Sequence, residues 1–175
     1  MSVVQIPFKQ LVFGNEHWLS YRAIDEIEIY CDLIENLHSR IDSLLACGKD
    51  EDKDEQVAIP NVQAVMSSYA LEIAMKSFWA LDHPAKCVPH EHDLTKIYDG
   101  LKEETKKSLE QFNLTRELLE YWPRPFVANR YSMECSDRRI TVYRAQFLRS
   151  LAEVLRDKIE ESRKTLFQPP HALDN

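Results

Sequence analysis

His83, Cys87, His90 and His92 fall within ten residues of one stretch, DHPAKCVPHEHDLTKIYDGL, residues 82 to 101. Nitrogen and sulfur donors of this kind are what zinc takes, but structural zinc usually draws close-spaced pairs from separate parts of a chain. Here all four share one loop punctuated by Pro84 and Pro89, and no second pair lies elsewhere; the other histidines are His17, His38 and His171. The stretch reads as a connector between helices, and no metal and no cofactor is expected. Nothing in the spacing brings Cys135 to His92 as a thiol–imidazole dyad, and the chain has no GxSxG elbow, HExxH helix or phosphate-binding P-loop.

A second set of chemically capable residues lies just upstream, in PNVQAVMSSYALEIAMKSFWALDH, 60 to 83. On a helical wheel Ser68, Glu72 and Lys76 share one narrow polar strip, and Glu72 precedes Lys76 by four residues, the favourable order for an ion pair. Burying a carboxylate and an ammonium costs several kcal/mol each unless they pair and are further hydrogen-bonded. Glu72 and Lys76 therefore form a structural pair, or line a polar cleft together with Arg130.

The elements that would hold these groups are helical. Ile24, Ile27, Cys31, Ile34, Ile41 and Leu45 give the three-then-four spacing of a long amphipathic helix from His17 to Ala46. Residues 1–14 read as an N-terminal arm and 48–59, with the run KDEDKDEQ, as a solvated acidic loop. Pro60 suits the first turn of the next helix. That helix is apolar almost all round, through Val62, Val65, Met66, Tyr69, Ile73, Met75, Phe78, Trp79 and Leu81, so it belongs in the middle of a bundle. Asp93 is placed to cap a helix through Leu94, Ile97, Tyr98 and Leu101. One or two short helices follow between Lys102 and Tyr121, broken near Asn113 and Thr115. WPRPFVANRYSMECSD reads as an ordered connection, and a terminal helix runs from about Asp137 to Leu166, ahead of a flexible tail over 167–175. The sum is one domain: an all-α, up-and-down bundle of four to five helices with a core over residues 60–160.

Composition narrows the function classes. With 175 residues the chain can bury one core, and three glycines disfavour a turn-dense β fold. A formal charge of −7 argues against broad adhesion to nucleic acid, leaving a local basic patch such as the one around RYSMECSDRR. No apolar stretch approaches the roughly 20 residues that cross a bilayer, so no membrane association is expected. MSVVQIPFKQLVF has no basic leader before a long apolar run, and the four cysteines are scattered without a CxxC pair. Both features are expected of a cytoplasmic protein with reduced thiols.

The order of these pieces, ALEIAMKSF in a central helix, then HDLTKIYDGL, then RYSME, then a long terminal helix, resembles the HEPN family (higher eukaryotes and prokaryotes nucleotide-binding) over about residues 60 to 160. That resemblance implies a helical bundle, frequent homodimers and, in one branch, a nucleotidyltransferase partner encoded alongside. It singles out Glu72, Lys76, His92, Asp93, Arg130 and Tyr131. The ribonuclease branch carries an arginine followed by four to six residues and a histidine, and no arginine of this chain is so followed; after Arg130 those positions hold Cys135, Ser136 and Asp137. The expectation is a module that binds nucleotide or RNA phosphate, in a toxin–antitoxin or defence setting, rather than an enzyme. Arg130 would serve as a two-pronged phosphate donor, Lys76 as a point charge and Tyr131 as a stacking wall. Arg130 as a structural partner of Glu72, Asp93 or Glu134 is the competing reading. The competing functions are a non-catalytic interaction bundle and a divergent metal-independent RNase using Arg130 and His92.

Overall fold

A computed structural model describes residues 8–46, 53–83, 86, 88–121, 123–130 and 142–166. Among these the fold is all-α: α1 (Phe8–Ala46), α2 (Lys53–Asp82), α3 (Leu94–Asp99), α4 (Glu103–Glu110), α5 (Arg116–Tyr121), α6 (Pro125–Arg130) and α7 (Ala145–Leu166). Three long helices, α1, α2 and α7, make the frame; of the short ones α3 and α6 pack on α2, and α5 packs on α3. None of the helices is long and apolar enough to cross a membrane among the described residues.

The apolar spacing dictates what meets in the centre. Ile24, Ile27, Cys31 and Ile34 of α1 are buried against Leu71, Ala74, Met75 and Phe78 of α2 and Leu148, Leu151, Leu155 and Ile159 of α7. Each large side chain so buried contributes roughly 1.5–3 kcal/mol. Polar contacts fix the register. Tyr30 meets Tyr69 edge to face at 5.7 Å, and buried Gln63 donates to the Ile34 carbonyl at 3.2 Å, so α1 and α2 run antiparallel. The Cys31 thiol reaches the Ala145 carbonyl at 3.4 Å, and Arg149 holds Asp32 at 2.7 Å and Glu35 at 3.1 Å. The Tyr143 amide donates to Ser67 Oγ at 3.1 Å near one end, and Lys158 reaches Asp82 at 2.9 Å near the other, so α7 runs parallel to α2.

Several boundaries differ from those expected. α1 begins at Phe8, inside the stretch read as an arm, and α2 begins at Lys53, inside the acidic loop, which leaves Pro60 within the helix rather than in its first turn. The chain breaks between α4 and α5 where Asn113 takes a left-handed φ of 60°, a conformation asparagine tolerates better than most residues. Thr115 then accepts the Leu118 amide and caps α5. Part of the expected connection is a helix, α6: Pro125 supplies its first residue, where a missing N–H costs nothing, and Asn129 fastens it to α2. Val142 to Arg144 precede α7 without helical structure, so the terminal helix starts at Ala145 rather than near Asp137. Cys47, Cys87, Cys135, Glu134 and Tyr131 lie outside the described residues.

The central helix is covered on only part of its circumference. Ala64, Ala70, Leu71, Ala74, Met75 and Phe78 are buried, whereas Val62 is 48% exposed and Tyr69 and Ile73 are half-buried. Apolar side chains on the outer side of α2 thus keep part of their surface in solvent.

Candidate phosphate site on the central helix

The strip Ser68–Glu72–Lys76 forms as the wheel requires. Ser68 Oγ donates back to the Ala64 carbonyl at 2.6 Å and receives Asn129 of α6 at 3.3 Å. One turn on, the Glu72 side chain is 5% exposed, and its Oε1 accepts Lys76 Nζ at 2.8 Å. The same oxygen takes His92 Nδ1 at 2.8 Å, from twenty residues along the chain. Oε2 is buried and has no hydrogen-bond partner among the described residues. A carboxylate that only accepts fixes the proton of this contact on Nδ1. Nε2 of His92, on a side chain 53% exposed, is then the ring nitrogen left to a ligand.

His92 is delivered to Glu72 by a connector held at both ends. At its start the His83 ring packs on Trp79 at 4.6 Å between centroids, and Nε2 lies 2.7 Å from the Gly100 carbonyl. Gly100 sits so close to Trp79 that a Cβ there would stand 2.9 Å from the indole nitrogen. At the connector's end Glu91 accepts the backbone amides of His92 at 3.0 Å and Asp93 at 3.1 Å, and Lys96 at 2.9 Å. The hydrogen bond from Lys96, then the Asp93 and His92 amides, pull the Glu91 carboxyl down from 4.5 to about 2. Among the described residues no group of three or more His, Cys, Asp or Glu side chains could hold a metal ion.

Asp93 is the N-cap of α3, accepting the Thr95 amide at 3.1 Å and the Thr95 hydroxyl. Burial pushes its carboxyl up, but the Thr95 and Lys96 hydrogen bonds and the nearby Arg124 outweigh that and hold it low. Arg124 Nε lies 3.6 Å from Asp93 Oδ2, and the Leu94 amide donates to the Pro123 carbonyl at 2.7 Å, so the start of α6 is tied to the start of α3. Losing the cap in Asp93→Ala is expected to cost about 1 kcal/mol at neutral pH. Because the folded carboxyl titrates below 3.8, its contribution is complete above that value and is lost as pH falls beneath it. Urea unfolding should therefore show the gap between wild type and variant closing below pH 3.8; a gap unchanged in acid would contradict the assignment.

The structure thus brings together Glu72, Lys76 and His92, with Asp93 beside His92 in the chain. Arg130 ends α6, exposed, with its guanidinium 6.0 Å above the Phe126 ring. Among the described residues Glu72 is held by Lys76 and His92, and Asp93 by Thr95 and Arg124.

One polar cluster was missed by sequence reasoning. Asp82, the last residue of α2, has a side chain 1% exposed and gathers the Lys102 amide at 2.8 Å, the Thr105 hydroxyl at 2.8 Å and Lys158 at 2.9 Å. It supplies α4 with the capping carboxylate that Lys102, its own N-cap residue, lacks. A signal was present: an aspartate in the last turn of an apolar helix opposes the helix dipole and needs donors from elsewhere. Comparison with family models, with curated proteins and with solved structures finds no match to this chain.

Proposed function

We propose that this chain is a HEPN-like helical module that binds phosphate groups of a nucleotide or of RNA at Lys76 and His92, acts in the cytoplasm as a homodimer, and works with a nucleotidyltransferase partner in a toxin–antitoxin or defence pair. The observation that supports the binding reading is the shared oxygen of Glu72. One buried carboxylate oxygen holds an ammonium and an imidazole from two separate segments, each keeping an exposed part. Lys76 supplies a point charge, and His92, with a proton on both ring nitrogens, a directional Nε2 donor for a phosphate oxygen. A net charge of −7 suits a short ligand over a long polyanion.

Thermal unfolding with ATP, GTP, CTP or UTP at millimolar concentration tests this. A ligand that prefers the folded chain stabilises it by about 2.7 kcal/mol at a hundredfold excess over Kd, roughly 5–10 °C for a chain of this size. No shift with any of the four would remove the reading.

The Glu72–His92 contact favours one alternative, a metal-independent RNase. An imidazole oriented through Nδ1 by a carboxylate is the arrangement of a general base, and Nε2 of His92 would take the proton of a ribose hydroxyl. Cleavage of labelled RNA in chelator, lost in His92→Ala, would select that reading over simple binding.

A further inference from the structure

An open hollow of about 130 Å³ lies between α1, α2 and α6, lined by Tyr30, Val65, Met66, Tyr69 and Phe126. Its walls are aromatic: Tyr69 meets Tyr30 at 5.7 Å and Phe126 at 5.0 Å between ring centroids. The Arg130 guanidinium stands 6.0 Å over the Phe126 ring. For scale, an apolar cavity of roughly 150 Å³ admits benzene, so a single flat ring suits this space.

The hollow and the polar strip share α2. Tyr69 lies one turn before Glu72 on α2, and Lys76 follows two turns after Tyr69, about 10 Å along the helix axis. On α6, Phe126 is two residues from Arg124, which pairs with Asp93 next to His92. Aromatic and cationic groups are thus carried by the same two elements about two helical turns apart, a span suited to a single small molecule that is flat and apolar at one end and anionic at the other.

We propose that this hollow seats a nucleobase, stacked against Tyr69 and Phe126, of a nucleotide whose phosphates lie at Lys76 and His92. The inference rests on the phosphate-binding reading above and adds the part of the ligand that phosphate chemistry leaves open. Stacking on aromatic side chains tolerates every base, because each has a π face. Arg130 contributes its planar guanidinium at the edge of the stack. Base preference is accordingly weak, and preference for a nucleotide over bare polyphosphate is strong.

The test compares ATP, UTP and inorganic tripolyphosphate by calorimetric titration of the full chain, in wild type, Tyr69→Leu and Phe126→Leu. Leucine keeps apolar volume at these half-buried positions, and thermal unfolding of each variant checks that it is folded. The expected result is that both nucleotides bind wild type about tenfold or more tightly than tripolyphosphate, and that each substitution removes most of that advantage while leaving tripolyphosphate affinity unchanged. Equal binding of nucleotide and tripolyphosphate to wild type, or variants that keep the full difference, would overturn the base site and leave the phosphate site standing. Absence of binding by all three compounds would overturn both. If the substitutions instead halve the sedimenting mass and leave nucleotide preference intact, the hollow belongs to a second copy of the chain and the base inference falls.

Discussion

Asp82→Ala is expected to lower the free energy of unfolding by about 3–5 kcal/mol, the range for removing one partner of a buried charge pair, which is roughly 6–20 °C in the midpoint for a chain of this length. The carboxylate is almost wholly buried and satisfies three donors from two other elements: the backbone of Lys102, the hydroxyl of Thr105 and the ammonium of Lys158. Without it the start of α4 loses its cap, and Lys158, 21% exposed, keeps a charge with poor access to water. Asp82→Asn retains the shape and one acceptor and should lose less. Urea unfolding with circular dichroism reads both variants; a loss under 1 kcal/mol for the alanine variant would mean that the cluster is incidental to the fold.

Lys76→Met carries the other large effect, on ligand binding and on stability together. It removes the ammonium from Glu72 Oε1, leaving a buried carboxylate with His92 as its remaining partner. A loss of about 2 kcal/mol is expected, less than for a fully buried pair because Lys76 is 24% exposed. Adding Glu72→Gln should recover much of it, since the desolvated charge is then gone. Nucleotide stabilisation should vanish in the single and the double variant alike. Recovery of stability without recovery of binding separates the structural pairing of Lys76 from its use on a ligand. A double variant that still responded to nucleotide would take Lys76 out of the site.

What the sequence revealed follows the range of each signal. Long helices were readable because many turns repeat the same apolar spacing, as in Ile24, Ile27, Cys31 and Ile34, or Leu148, Leu155 and Ile159. The Glu72–Lys76 pair and the Asp93 cap were readable because both contacts span four residues or fewer. The meeting of His92 with Glu72 is tertiary, and only the family resemblance placed them in one set. α6 was missed because six residues are too few to show a period, and two prolines nearby suggested a connection. The first turns of α2 were missed because a like-charge run reads as a loop. The all-round apolar character of α2 suggested complete burial, yet Val62 is exposed and Tyr69 and Ile73 are half-buried, although Tyr69 packs against Tyr30 of α1 and Phe126 of α6.

The most direct test of a phosphate site at Lys76 and His92 is the imidazole ¹⁵N spectrum of the full chain, with its six histidines, titrated with ATP at neutral pH. Saturable movement of the His92 resonances is expected, assigned by their loss in His92→Gln, while His83, held between Trp79 and the Gly100 carbonyl, stays in place. Resonances of His92 that remain still at saturating millimolar ATP, or move only in common with every other histidine, would contradict it.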